Sequence, residues 1–149
     1  MLDAVVAYFH FVGIMSLLAA LVAEHMLLGG ELDVRRGRQL AATDRVYWCS
    51  AAIVLVSGLL RMTWFGKGMA FYAGNPLFHA KMAVFVLVIV LSIYPGLKFL
   101  DVRRSTRDGL PPRLPDGVTM RLKMLLRMEL AAVILIPLLA VAMARGFGY

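Results

Sequence analysis

Apolar residues run along the chain in four long blocks, near residues 3–28, 41–64, 77–99 and 120–144, separated by polar connections rich in glycine, proline and arginine. About 20 consecutive apolar residues carry an α-helix across the hydrocarbon of a bilayer, so each block predicts a transmembrane helix. The expected fold is all-α: an integral membrane four-helix bundle that forms a single transmembrane domain over residues 1–149. Gly29 and Gly30 open the first connection, Gly66, Gly68, Gly74 and Pro76 bound the second, and Pro111, Pro112 and Pro115 interrupt the third. Residues 101–116 are the one polar stretch long enough to form an independently mobile loop, and they are too few for a second domain. The first block has no Lys or Arg before Arg35, and it carries Glu24 and His25 where a cleavage site would need small residues. It is therefore expected to stay in the mature protein rather than leave as a signal peptide.

Composition strengthens the membrane reading. Of the 149 residues 61% are hydrophobic, and the mean hydropathy is +0.79, well above what a soluble domain carries. In a polar protein the net charge of +7 would suggest a nucleic-acid partner. Here the cations sit in loops and at helix ends, where they orient a chain in the bilayer. Arg35, Arg36, Arg38, Arg45, Lys98, Arg103, Arg104, Arg107, Arg113, Arg121, Lys123 and Arg127 fall at one side, and only Arg61, Lys67, Lys81 and Arg145 at the other. The crowded side is expected to face the cytoplasm, with the N- and C-termini on the non-cytoplasmic side of a bacterial inner membrane. Lipid is then the expected surroundings, and no nucleic acid is expected as a partner. Tyr8, Trp64, Phe65, Phe71, Tyr72, Phe78 and Tyr149 near the outer ends fit an interfacial aromatic belt. The single cysteine, Cys49, has no partner for an intramolecular disulfide and reads as a small core residue.

Ionisable residues inside the spans carry the most information. Each costs about 2.5 to 3.5 kcal/mol near the bilayer centre on insertion scales, so it is expected to turn inward and to pair. Toward the outer side lie His10, Arg61, His79 and Lys81; deeper lie Glu24, His25, Asp44, Arg45 and Glu129. At about 100° per residue, His10 and Glu24 share one face of the first helix with Gly13, Leu17 and Ala20, small or aliphatic residues that admit a close neighbour or a flat ligand. His25 points elsewhere. His10 is open to three roles: a hydrogen bond inside the bundle, ligation of a metal or haem, or proton relay. His79 and Lys81 lie about 200° apart on a helix, so one of them is expected to line the interior. Lys81 and Arg61 either snorkel to the interface or act as cationic anchors for a carboxylate.

Glu129 lies about 15 Å into the fourth span and has to be protonated, paired or hydrated there; Arg127 and Asp44 are partners of suitable depth. Pro95 and Pro137 each remove a backbone donor and are expected to kink their helices. Met120, Met124 and Met128 fall on one helical face, a stripe read as packing rather than as a copper site. HExxH, paired CxxC, Walker A and Ser/His/Asp patterns do not occur, which argues against the common hydrolytic, nucleotide-binding and structural-zinc chemistries. No pattern decides whether the chain is an enzyme.

Tyr8-Phe9-His10-Phe11, Gly58-Leu59-Leu60-Arg61, Asn75-Pro76-Leu77-Phe78-His79-Ala80-Lys81-Met82, Ser92-Ile93-Tyr94-Pro95 and Ala144-Arg145-Gly146 together resemble a family of small bacterial predicted inner-membrane proteins of unknown function. More distantly, His10, His79-Ala80-Lys81 and the stretch 124–129 are similar in placement to HemJ-type membrane protoporphyrinogen oxidase, a four-helix protein that binds haem b. Residues 18–25 stand where that family has Trp-Phe-x-Gly and Tyr-x-Pro-Arg, which leaves haem ligation by His10, rather than the oxidase reaction, as what the resemblance implies.

The leading expectation is an outer-half pocket bounded by His10, Arg61, His79 and Lys81. It would bind haem b or a related tetrapyrrole, with His10 as the metal ligand, cations on the propionates and a redox function. The rival is a non-enzymatic small transporter, necessarily a homo-oligomer given so few helices, or an accessory subunit with a membrane partner. That rival rests on the buried Glu129, with Pro95 and Pro137 as features of a proton or ion path.

Overall fold

The structure, a computed structural model, describes residues 1–64 and 73–147. It contains four helices: α1 Leu2–Leu27, α2 Val34–Thr63, α3 Pro76–Arg107 and α4 Asp116–Ala144. At 1.5 Å per residue they are roughly 39 to 48 Å long, and all four are long and apolar enough to cross a membrane. No strand occurs among the described residues. The helices alternate in direction, and the packed pairs are α1 with α2, α2 with α3, α3 with α4, and α4 with α1. The diagonal pairs do not approach at the backbone among the described residues, so the bundle is a ring of four around one central seam. Both chain ends lie at one end of it, called the terminal end below; the opposite end carries the crowded cations and is the basic end.

The two middle helices start where the sequence supplies a side-chain cap. The Asp33 carboxylate accepts from Arg36 N at 2.7 Å and opens α2, while Asn75 Oδ1 accepts from Leu77 N at 2.9 Å and, with Pro76 in the first turn, opens α3. Asn75 is fully buried, and its amide donates to the Phe147 carbonyl at 3.5 Å, tying the start of α3 to the chain end. The extents of α1 and α4 match the apolar blocks closely; those of α2 and α3 do not. α2 begins at Val34 rather than near 41, and α3 runs on to Arg107, so residues 101–107 are helix, not mobile loop. The apolar pattern measures only hydrocarbon, whereas a helix continues into water as long as its residues favour it and one face still packs. Here Gly37 and Leu40 on α2 and Val102 and Thr106 on α3 stay buried past the apolar blocks. Lys98 and Arg104 flank Asp101 at 3.9 and 3.6 Å, one turn to either side.

The bundle core is thin. Only 22%, 22%, 28% and 17% of the four apolar windows are buried inside the chain, which leaves most apolar side chains facing outward, as lipid contact requires. Leu17, Ala20 and Leu21 of α1, Leu40 and Tyr47 of α2, Val88 and Phe99 of α3, and Leu122, Leu126 and Val133 of α4 meet in one cluster. Lipid tails are as apolar as these side chains, so close packing rather than escape from water holds helices together in a bilayer. Glycines set how closely they approach: a Cβ on Gly13 would lie 2.9 Å from Val54, one on Gly96 would lie 3.2 Å from the Trp48 ring, and one on Gly37 would lie 2.5 Å from the Thr106 methyl and 2.9 Å from Pro112.

Neither the cysteine nor the methionine stripe faces the interior. Cys49 is exposed, because Leu40, Ala41, Asp44, Tyr47, Ser50 and Ala51 define the inner face of α2 at helical spacing and residue 49 falls off it. Met120, Met124 and Met128 do share a face of α4, but the outer one, opposite Leu122, Leu126 and Glu129. α3 and α4 continue through Pro95 and Pro137. Of the aromatic residues proposed for an interfacial belt, Tyr8 and Trp64 are exposed at the terminal end and Phe78 is half-buried. Phe65, Phe71, Tyr72 and Tyr149, with Gly66, Lys67 and Gly68, lie outside the described residues.

The glycine contacts predict opposite outcomes for one substitution. Gly37→Ala gains up to about 1 kcal/mol of helix propensity but forces a methyl against Thr106 and Pro112, where overpacking costs about 1–3 kcal/mol, so thermal unfolding in detergent should shift down. Gly117→Ala, with nothing within 4 Å of the added carbon, should shift it up.

Candidate functional site

Two polar layers occupy the bundle. In the layer near the terminal end, the α1 register turns His10 toward α2, where His10 Nδ1 lies 2.9 Å from Ser57 Oγ. Gly58 leaves room for the ring: its missing Cβ would lie 3.4 Å from His10 Cε1. Ser57 Oγ also lies 2.5 Å from the Ile53 carbonyl, one turn back. That carbonyl only accepts, so the single serine proton goes to it, and Ser57 accepts from His10 Nδ1–H. Nε2 keeps its lone pair.

Arg61 and Lys81 complete this layer. Both are half-buried, and the charge of each reaches His10; the Arg61 guanidinium stands 5.9 Å from the Phe11 ring centre and the Lys81 ammonium 5.6 Å from that of Phe78. Arg61 and Lys81 also feel each other, and neither has an acidic partner among the described residues. His79 does not join them. It is exposed, and its Nε2 bonds to the Ala73 carbonyl at 2.9 Å, holding the turn before α3, so Lys81 is the member of that pair that faces inward. The helical offset between residues 79 and 81 requires this divergence.

The second layer is deeper and more enclosed. Glu24 of α1 and Glu129 of α4 are 2% and 1% exposed, and Tyr47 and Ser92 are as well hidden. Ser92 Oγ lies 2.9 Å from Glu129 Oε2 and 2.6 Å from the Val88 carbonyl, and it is also hydrogen-bonded to the Tyr47 hydroxyl. The partners of Glu129 are thus Ser92 and Tyr47. Arg127 is exposed, and its charge instead reaches the half-buried His25. Glu24 faces Asp44 and Glu129, both acids, and its Oε1 and that of Glu129 have no hydrogen-bond partner. Asp44 lines a cleft of about 320 Å³ between α2 and α3, together with Trp48, Ile93 and Gly96. Among the described residues no three His, Cys, Asp or Glu side chains come together as metal ligands.

A family model described as "Predicted membrane protein (DUF2214)" matches residues 2–148. The chain belongs to that family. No curated protein and no solved structure shows a significant match. Four membrane-length helices and membership of a membrane-protein family make this a membrane protein, and the two polar layers are what it holds within the bilayer. Sequence reasoning located His10, Arg61, Lys81, Glu24 and Glu129 but missed Ser57, Tyr47 and Ser92. Hydroxyl residues are cheap in a membrane helix and so give no signal alone. Their register did: Ser50 and Ser57 fall on the α2 face of Asp44 and Tyr47, and Ser92 on the α3 face of Val88 and Gly96.

Ser92 is the junction of the deep layer. Ser92→Ala takes from the Tyr47 hydroxyl and Glu129 Oε2 the hydroxyl they share in the core, and a buried group left short of a partner costs about 1–3 kcal/mol. Thermal unfolding should show a loss of that size, whereas Ser105→Ala, which removes only an exposed bond to the Asp101 carbonyl, should leave stability unchanged.

Proposed function

We propose that this membrane protein holds haem b, or a closely related tetrapyrrole, against His10, and that the cofactor gives it a redox role. The observation that carries the reading is the orientation of the imidazole: Ser57 receives Nδ1–H, and Nε2 is left with the lone pair that an axial ligand needs. Arg61 and Lys81 beside it, two cations without an acidic partner among the described residues, suit the propionates of such a group. A bound haem supplies reversible one-electron chemistry; the chain's part is to bind it, orient it and balance its charge. In this reading the basic loops lie in the cytoplasm of a bacterial cell and the His10 layer in the outer half of the inner membrane. A reporter enzyme that is active only outside the cytoplasm should then be active when fused after Tyr149.

Absorbance tests the cofactor directly. Protein purified from haem-replete cells should show a Soret band that His10→Ala abolishes, and Ser57→Ala should weaken haem affinity about 10- to 100-fold, the usual cost of losing the group that orients a metal-binding histidine. A colourless wild-type protein, or a band unchanged in His10→Ala, overturns the reading. The second reading, a non-enzymatic transporter or accessory subunit of a membrane complex, draws on a different observation, the unpaired carboxyl oxygens of Glu24 and Glu129 in the core. A partner that co-purifies in fixed stoichiometry, or proton-linked flux in liposomes lost in Glu129→Gln, supports it.

A further inference from the structure

The deep layer holds acids with nothing to balance them. Glu24 and Glu129 come from helices that pack on each other, both side chains are almost fully buried, and one oxygen of each carboxyl is bare of any hydrogen bond. The groups facing them from the other two helices are Asp44 and Tyr47 of α2 and Ser92 of α3; no Lys or Arg is among them. Arg103, a cation of the basic end, acts on Asp44 at the cleft. Two carboxylates ionised together in a low-dielectric seam, each with an unsolvated oxygen, would repel each other and lose their hydration without repayment.

Counting protons at Ser92 shows how the layer avoids this. Its hydroxyl has a single hydrogen and sits within hydrogen-bonding distance of three oxygens. The Val88 carbonyl, at 2.6 Å, only accepts and is nearer than Glu129 Oε2, and giving it the serine proton leaves both serine lone pairs free to accept. The Tyr47 hydroxyl donates to one serine lone pair. The remaining contact, Glu129 Oε2 at 2.9 Å, is a hydrogen bond only if the carboxyl itself is the donor. A protonated Glu129 therefore satisfies all three contacts at once, and an ionised one forfeits one of them.

We propose that the Glu24–Glu129 seam is a proton-binding site, with Glu129 as the proton carrier, Ser92 as its acceptor, and Glu24 as the second carboxyl between Glu129 and Asp44. Asp44 lines the cleft between α2 and α3, so this acid connects the seam to the surface of the bundle near its basic end. The site is independent of whether His10 holds a cofactor, since it shares no residue with that layer.

Dicyclohexylcarbodiimide, an apolar reagent that modifies protonated carboxyl groups in membrane interiors, reads the site in the intact wild-type protein. Peptide mass spectrometry should find the label on Glu129 or Glu24, strongest at low pH and falling about tenfold per pH unit once the proton is lost. Ser92→Ala, which leaves both acids in place but removes the acceptor, should shift that pH profile. Difference infrared spectroscopy should show the carbonyl band of a protonated acid, lost in Glu129→Gln, a variant that keeps the donor to Ser92 and the shape of the side chain. Absence of label on both acids together with absence of the infrared band overturns the proposal. Labelling blocked by sodium or potassium at constant pH also overturns it, by making an alkali cation the occupant.

Discussion

Every polar group that this chain carries between its helix ends has to find its partner inside the bundle, because hydrocarbon offers none. Two serine hydroxyls do most of this bridging. Ser57 joins α1 to α2 through His10, and Ser92 joins α2, α3 and α4 through Tyr47 and Glu129. Each also bonds to a carbonyl one turn back in its own helix, so its single proton is already committed and it meets other side chains as an acceptor. That small chemical fact sets the state of both layers: it selects the histidine tautomer at one level and calls for a protonated acid at the other.

The charges are sorted along the bundle. Asp3 is the one acid in the sequence that falls at the terminal end, where Arg61, Lys81, His10 and His79 gather. The buried acids Glu24 and Glu129 lie deeper, toward the basic end. Within the spans the two signs are therefore not used to neutralise each other. The ion pairs found among the described residues, Lys98 and Arg104 with Asp101, are exposed and at the basic end, where such pairs contribute about 0–1 kcal/mol. A bundle selected only for stability would pair its buried charges or replace them with leucine.

The thin core follows from the same solvent. Since the surrounding lipid is as apolar as the interior, a side chain gains little by being buried, and small residues do more than large ones. Gly13, Gly37, Gly58 and Gly96 let backbone or rings approach where a methyl would collide or crowd, and it is at these positions that α1 meets α2 and α2 meets α3.

The apolar blocks and their glycine and proline boundaries determined the number of helices, their approximate extents and the alternating directions, because the bilayer demands a fixed apolar length and permits no other open structure. The same pattern also located His10, Arg61, Lys81, Glu24 and Glu129, since an ionisable residue inside such a block stands out by its cost. Which way side chains point was a different matter. Hydrophobicity separates inside from outside only in water, so Cys49, expected in the core, lies outward, as does the Met120, Met124 and Met128 stripe. The extension of α3 to Arg107 was hidden for a related reason: charged residues end an apolar block without ending a helix. Only the tertiary structure decided that Lys81 rather than His79 faces the bundle, that Ser92 and Tyr47 rather than Arg127 meet Glu129, and that Ser57 orients His10. Each of these depends on how one helix is rotated against the next, and that rotation is set by contacts between residues tens of positions apart, which no local periodicity records.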